Sequence, residues 1–279
     1  MIILSHFQAR VLLKRRGSAG SMVAVTPDLG LTMISVGVEA MGVLFPSAGR
    51  LSWEAIEEIA GAENNCFVVE GGDVRKIIFF SELTNRSYSL MPTAGAPTML
   101  MSGVPMHRIK GTTPDQDTAA KIRTLTPIAG RVLDTATGLG YTAIAAARHA
   151  DAVATIELDP TALEVARLNP WSQALFSDPK IEQLIGDSSE VIATFADETF
   201  AAIIHDPPRF GLQGDLYSAR FYRDAHRVLQ RGGRLFHYIG DPESRSGAGV
   251  TRGVVERLKA AGFRRVERRP EAFGVLAFR

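Results

Sequence analysis

Cysteine is almost missing from this sequence: Cys66 is the single one in 279 residues. One thiol cannot close an intrachain disulfide or build a thiolate zinc cluster, and nothing points to an oxidising compartment. A cytoplasmic location is expected. No apolar run reaches the length of a membrane span, and the opening MIILSHFQARVLLKRRG is broken by His6, Gln8 and Arg10, so it reads neither as a signal peptide nor as an anchor. Excess charge of one sign is also lacking, with 31 basic against 30 acidic residues and a net charge of +1. Such a balance gives no global field to draw the chain to nucleic acid or an anionic membrane, although a local basic patch could. Repeats and low-complexity tracts are absent too, which argues against a solenoid.

What is present is 46% hydrophobic residues, enough for a large core or two smaller ones. Residues 1–112 read as a β-rich domain of short strand-like pieces such as SMVAVTP, RSYSLMP and PTMLMSG. One helix-like piece interrupts them at SWEAIEEIAG, where Ser52 can cap. VVEGGDVRKI suits a hairpin turning through Gly71, Gly72 and Asp73. Across 113–279 strands and helices alternate, the signature of a doubly wound parallel sheet. The strands are expected at GRVLDT, AVATIEL, KIEQLIG, FAAIIHD and RLFHYIG, with FRRVERRP and FGVLAFR as a closing antiparallel pair.

The stretch VLDTATGLGYTA, residues 132 to 143, sets glycines where a strand turns into a helix. A ligand approaching the backbone there needs the missing Cβ and the free N–H groups of a helix start. Gly138, Gly140 and Ala143 also satisfy the degenerate dinucleotide pattern, so a dehydrogenase is a competing reading. Acids at three successive strand ends separate the two: Asp134, Glu157 in ATIELDP and Asp187 in LIGDSSEV. This combination resembles the class I S-adenosylmethionine-dependent methyltransferases, whose fold is a Rossmann-like α/β doubly wound sheet. The resemblance implies Asp134 near the methionine amino group, Glu157 bonded to the two ribose hydroxyls, and Asp187 accepting from the adenine amino group. It further implies a cradle of Thr135, Ala136, Thr137, Gly138, Gly140, Tyr141, Leu158 and Ser188, with Asp206 beside it. Tyr141 is expected to keep its ring out of the interior, against the cofactor. Ala136 departs from the family's pattern, which has a glycine there. Each acid alone has a plainer explanation, since Asp159 or Asp187 could cap the following helix.

A second stretch, IIHDPPRFGLQGDLYS, residues 203 to 218, begins as a buried strand and stops at Asp206. Pro207 and Pro208 fix their own φ and hold Asp206 extended on a stiff loop. That loop lies at the carboxyl end of a strand, where open α/β sheets place their ligands. HDPPRF resembles the Asn/Asp-Pro-Pro-aromatic motif of methyltransferases that modify amino nitrogens. By that resemblance Asp206 and the Pro207 carbonyl accept the hydrogens of an amino group and aim its lone pair, with Asp206 also a candidate general base. Arg209 replaces the aromatic ring, with Phe210 behind it. It either clamps a carboxylate or phosphate of the substrate, or pairs with Asp206. DPPR also resembles the RNA pyrimidine C5 methyltransferases, but those use a downstream cysteine and Cys66 lies upstream.

Two wider resemblances follow. DPKIEQLIGDSSEVI, DLYSARFYRDAHRVLQRGGRL and the β-rich region are similar to spermidine synthase and its relatives, which transfer an aminopropyl group from decarboxylated S-adenosylmethionine. The departures are His107 without an adjacent tyrosine, and Pro-Pro-Arg where an Asp-rich loop is usual. HRIKGTTPDQDT, LDTATGLGYTAIAAA and ARLNPWSQALF, with the Asp-Pro-Pro segment, resemble a family of predicted archaeal methyltransferases over nearly the full chain.

His107, Arg108 and Lys110 either bind the cofactor carboxylate or an acidic substrate, or lie on a solvated linker. Tyr217 is a candidate for the acceptor pocket, and Trp171 for the adenine edge or for packing. Arg264, Arg265, Arg268 and Arg269 read as a solvated face and as the best candidate for an RNA-contacting patch. The expected protein is an S-adenosylmethionine-dependent methyltransferase acting on an amino nitrogen of a small molecule or nucleic-acid base. Its partners are a small-molecule or RNA acceptor, no membrane, no metal and a further copy of itself in a homo-oligomer. Aminopropyl transfer from decarboxylated S-adenosylmethionine is the first alternative, and a non-catalytic adenosyl-binding module the second.

Overall fold

The structure, a computed structural model, describes residues 1–207, 214–241 and 247–279. The chain divides into two compact units, Met1–Asp115 with Thr161–Gln173, and Gln116–Pro160 with Ala174–Arg279.

In the second unit seven strands form one sheet. They are β1 (Arg131–Asp134), β2 (Ala152–Glu157), β3 (Ile181–Ile185), β4 (Phe200–His205), β5 (Leu229–Tyr238), β6 (Arg265–Arg269) and β7 (Gly274–Phe278). Their spatial order is β3-β2-β1-β4-β5-β7-β6. β1 to β5 run parallel, and β7 is antiparallel to both its neighbours. The inner strands are apolar on both faces, with Leu133, Ala154, Ile156, Ile203 and Ile204 all fully buried, as a sheet covered on both sides demands. Helices α1 (Pro114–Leu125), α2 (Tyr141–Ala147), α3 (Ser188–Thr194), α4 (Ala219–Val228) and α5 (Gly247–Ala260) alternate with the strands. Phe221, Tyr222, Ala225 and Val228 of α4 and Val254 and Leu258 of α5 share one core with Leu133, Ile203 and Leu235. The strand order reverses between β1 and β4, and a crevice for ligands is expected outside their carboxyl ends.

β5 starts earlier than the sequence suggests. Phe200 pairs with Leu229 and Ala202 with Arg234, so the residues between Leu229 and Arg234 bulge out of register. Gly232 turns there at φ 76°, a conformation glycine adopts without penalty.

The first unit holds three antiparallel sheets. Ile2–Leu4, Phe67–Glu70 and Asp73–Lys76 form one, with the expected hairpin turning through Gly71 at φ 62° and Gly72 at φ 93°. A Cβ on Gly72 would lie 2.8 Å from the Arg50 carbonyl oxygen, so the turn also needs glycine for space. The helix Trp53–Gly61 is capped by Ser52, whose Oγ accepts from the Ala55 N–H at 3.2 Å. A second helix, His6–Leu13, was not expected. Ser5 accepts from the Phe7 N–H, and Gln8 accepts from the Ser5 N–H at 3.0 Å. This is a capping box whose S-x-x-Q signature stands in the sequence. Leu4, Leu12, Phe45, Leu51, Ile56, Ile59 and Phe67 gather in this unit's core.

Candidate active site

The glycine loop after β1 hangs from the strands beside it. Thr135 N–H donates to the Ile204 carbonyl at 3.0 Å and Thr137 N–H to the Ile156 carbonyl at 2.9 Å. Gly140 turns at φ 76°, and a Cβ there would sit 2.7 Å from Leu175 Cδ2. Its glycine is therefore fixed by backbone and packing before any ligand is considered. Ala136 is not among the described residues with a positive φ, so alanine fits where a glycine was expected.

The three acids stand at the ends of β1, β2 and β3. Asp134 is fully buried, and its Oδ2 accepts from the hydroxyls of Thr142 and Thr155, each at 3.0 Å. The Thr155 hydroxyl lies 2.7 Å from that of Thr137, which ties the loop to β2. Burial lifts the Asp134 carboxyl to about 7, against the lowering effect of those two hydroxyls. Its Oδ1 is buried with no hydrogen bond among the described residues. Glu157 accepts from the Asp159 N–H through Oε1 at 3.0 Å and from the Gly138 N–H through Oε2 at 2.8 Å. Burial raises its carboxyl despite those bonds. Each of its oxygens retains a second lone pair. Leu158 follows it, half-buried. Asp187 caps α3 by accepting from the Ser189 N–H at 2.7 Å, so the plainer explanation holds for one of its oxygens. Ser188 Oγ donates to the Thr135 carbonyl at 2.6 Å. Tyr141 is a correction: its ring is buried, 8% exposed, because it opens α2 facing the interior rather than the solvent.

Asp206 follows β4 and is held from an unexpected direction. Lys121 Nζ donates to Asp206 Oδ2 at 2.5 Å and lies 2.8 Å from Asp117 Oδ2. It also sits 4.5 Å from the Tyr238 ring centroid, a cation–π contact. Lys121 and Asp117 are 3% and 2% exposed. Burial works against the Lys121 ammonium, but the charges of Asp206 and Asp117 outweigh it and hold its pKa above the ordinary lysine value. Asp206 is thereby fixed through one oxygen, beside buried Pro207.

Around the end of β4 lie buried aromatic side chains that are themselves neutral, with the Arg257 guanidinium against Tyr222. His205 Nε2 lies 2.9 Å from the Leu216 carbonyl oxygen, which can only accept, so Nε2 carries the proton. Nδ1 then accepts from the Thr135 hydroxyl at 2.7 Å. Burial lowers His205 to about 3, and burial likewise pushes His237 well below the usual histidine value. The two imidazoles meet at 4.4 Å between centroids. Tyr222 Oη is 2.9 Å from His237 Nε2, and the Tyr217 ring lies 5.2 Å from His237. Burial raises both phenols.

The second unit thus carries Asp134, Thr135, Thr137, Gly138, Gly140, Glu157, Asp187, Ser188, Asp206 and Tyr217 at one end of its sheet. His107, Arg108 and Lys110 belong to the first unit. There His107 Nδ1 lies 2.9 Å from Thr98 Oγ1. Trp171 is also in the first unit, and its indole N–H donates to the Leu29 carbonyl at 3.2 Å. Arg209 and Phe210 lie outside the described residues. Lys121, Asp117, His205 and His237 were not anticipated from the sequence. The one available signal was the i, i+4 spacing of Asp117 and Lys121 on a helix.

This geometry can be set beside known proteins. The protein family described as methyltransferase small domain matches residues 111–241. Over 235 residues the chain is 44% identical to the uncharacterized protein MJ1233 of Methanocaldococcus jannaschii, a match covering 84% of this chain and 80% of that one. The chain belongs to that protein's family. A polyamine aminopropyltransferase of Aeropyrum pernix is 32% identical over 91 residues, 31% of this chain and 29% of that protein. A spermidine synthase solved in complex with the transition state analogue AdoDATO superposes with a TM-score of 0.59 at 21% identity, over 74% of this chain and 75% of that one. The second unit is a domain of the Rossmann-like kind that methyltransferases and spermidine synthases share. Among the described residues no helix is long and apolar enough to cross a membrane.

Proposed function

We propose that the protein is an S-adenosylmethionine-dependent methyltransferase that alkylates an amino nitrogen. The observation that carries this reading is Asp206, clamped by Lys121 at the carboxyl end of β4, on the same sheet end as the acids of β1, β2 and β3. The residues present suit an adenosyl donor. Glu157 has a spare lone pair on each oxygen for a ribose hydroxyl, and buried Asp134 Oδ1 lacks a donor that an ammonium group would supply. When bound, S-adenosylmethionine supplies a methyl group made electrophilic by its sulfonium.

The chain's own contribution is positioning. Lys121 takes Asp206 Oδ2, which leaves Oδ1 to accept an amino hydrogen and set the direction of the nitrogen lone pair. The imidazoles of His205 and His237 and the phenol of Tyr217 are neutral, and the Asp206 carboxylate is the group that stabilises positive charge developing on that nitrogen.

Aminopropyl transfer is the second reading, favoured by the sequence match to an aminopropyltransferase. The two differ in the donor, and calorimetric titration with S-adenosylmethionine and with its decarboxylated form separates them. Tighter binding of the carboxylated donor is expected; preference for the decarboxylated form would move the protein to the second reading, and no binding of either would end both. In the same titration Asp206→Ala is expected to bind donor within about threefold of the parent, a difference of less than 1 kcal/mol, while a separate transfer assay with labelled donor finds no product from any acceptor that the parent modifies. Loss of donor binding in that variant would mean the loop serves the donor instead.

A further inference from the structure

Within the second unit, α1 and the β5-β7-β6 edge of the sheet enclose a groove of about 380 Å³. Its walls carry four arginines, Arg123, Arg234, Arg265 and Arg269, against two acids, Glu267 and Glu271. In a chain whose net charge is only +1, this is a local concentration of positive charge. Two carboxylates against four guanidiniums neutralise at most half of it. Glu267 is shared, with Arg265 at 3.1 Å on one side and Arg269 on the other. Arg234 is half-buried and donates to the Pro127 carbonyl, with no carboxylate partner among the described residues. Burial lowers its pKa. Arg123 is exposed and likewise has no acid partner among the described residues.

Four guanidiniums around one groove repel one another, and the carboxylate of Glu267 is shared between only two of them. A polyanion would relieve the repulsion. Arg265 adds a second feature, since its guanidinium lies 4.0 Å from the centroid of the Phe278 ring. Its side chain is 63% exposed, so the plane that does not face Phe278 is open to a further flat group. Nucleobases stack on arginine planes of this kind, while neighbouring arginines neutralise the phosphates. The groove also shares α1 with the reaction loop: Ala120, Arg123 and Thr124 line it, and Lys121 of the same helix holds Asp206.

We propose that this groove binds single-stranded RNA, with phosphates on Arg123, Arg234 and Arg269 and a base stacked on Arg265. The binding site does not depend on which donor the protein uses. Only its consequence, that the acceptor nitrogen belongs to an RNA base, rests on the methyltransferase reading.

The test is fluorescence anisotropy of the full chain with a short labelled single-stranded RNA of mixed sequence, repeated over a salt series. Binding should weaken with salt, with a log–log slope of roughly −2 for three neutralised phosphates. The double variant Arg123→Gln, Arg265→Gln changes two exposed side chains, so the fold is expected to survive. It should weaken RNA binding by at least about tenfold and flatten the slope by roughly one phosphate's worth. Three results would overturn the proposal: no RNA binding at low salt, RNA binding that the double variant leaves unchanged, or tripolyphosphate displacing the RNA at equal phosphate concentration, which would mark a small-anion site. Calorimetry with S-adenosylmethionine on the same double variant should match the parent. A failure of donor binding would therefore strike the proposed function, and a failure of RNA binding this site alone.

Discussion

At the scale of single residues, the arrangement around Lys121 sets three charged groups in a nearly closed space, two negative and one positive. Such a cluster holds only while all its members are present, because removing one partner leaves the others buried without compensation. Lys121→Met keeps the volume but strands Asp117 and Asp206, and a loss of about 3–5 kcal/mol is expected from urea unfolding. Asp206→Asn leaves Lys121 with Asp117 and should cost clearly less but still measurably; no loss at all would show that the lysine does not clamp the loop, and a loss equal to that of Lys121→Met that stranding Asp117 adds nothing. Asp134 offers a pH-dependent counterpart. Its carboxyl is raised from 3.8 to about 7 in the folded protein, so the folded state holds a proton that the unfolded state has released. Stability contributed by the protonated form is complete below about pH 4 and is lost as pH rises towards 7, at up to about 1.4 kcal/mol per pH unit. Binding of a donor ammonium runs the opposite way, strengthening as pH rises through about 7 and the carboxylate forms. Asp134→Asn should remove both slopes, which unfolding and donor calorimetry at a series of pH values would read; a binding slope that persists would place the donor ammonium elsewhere.

At the scale of elements, the turn from β1 into α2 shows how a glycine motif can be structural and functional together. Gly140 combines a left-handed φ of 76° with a missing Cβ that Leu175 would otherwise meet at 2.7 Å. Gly140→Ala should therefore cost about 1–3 kcal/mol through strain and overpacking. Adding Leu175→Ala opens the space that the new methyl needs, so the double variant should lose less than the sum of the single losses. Strict additivity in urea unfolding would mean that the backbone conformation alone carries the cost. The same element scale shows where sequence reading stops. The hairpin through Gly71 and Gly72 and the helix after Ser52 were legible because their signals are local in sequence. The helix His6–Leu13 carried a local signal as well, the Ser5 and Gln8 capping box, but an apolar opening read as broken concealed it. The early start of β5 had no such signal, since a bulge opposite Phe200 is set by the pairing of two strands.

At the scale of the whole molecule, the parallel sheet and its closing antiparallel pair were legible from alternating strands and helices, though the spatial order of the strands was not, and the positions of the acids at three strand ends were legible because each stands at a fixed offset from its own strand. Lys121 was not, since it meets Asp206 across 85 residues of sequence and only the folded chain brings the two side chains together. Nor was the make-up of the first unit. A boundary drawn near residue 112 gives two contiguous pieces, but residues 161–173, from the second half of the sequence, group with the first unit. This excursion includes all but the first residue of the helix Pro160–Leu168, and Trp171, whose indole N–H donates to the Leu29 carbonyl. A fragment of residues 1–115 lacks that helix and leaves the Leu29 carbonyl without the indole. It retains Trp53, 5% exposed in the first unit's core, as its single tryptophan reporter. Its fluorescence should follow an unfolding transition at lower urea than that of the same fragment joined through a flexible linker to residues 160–173, because area removed from water is lost with the segment. Far-UV circular dichroism on both fragments would follow the same transitions and exclude a change confined to the indole. Coincident midpoints would show that residues 1–115 close their core unaided and that the segment adds nothing to it.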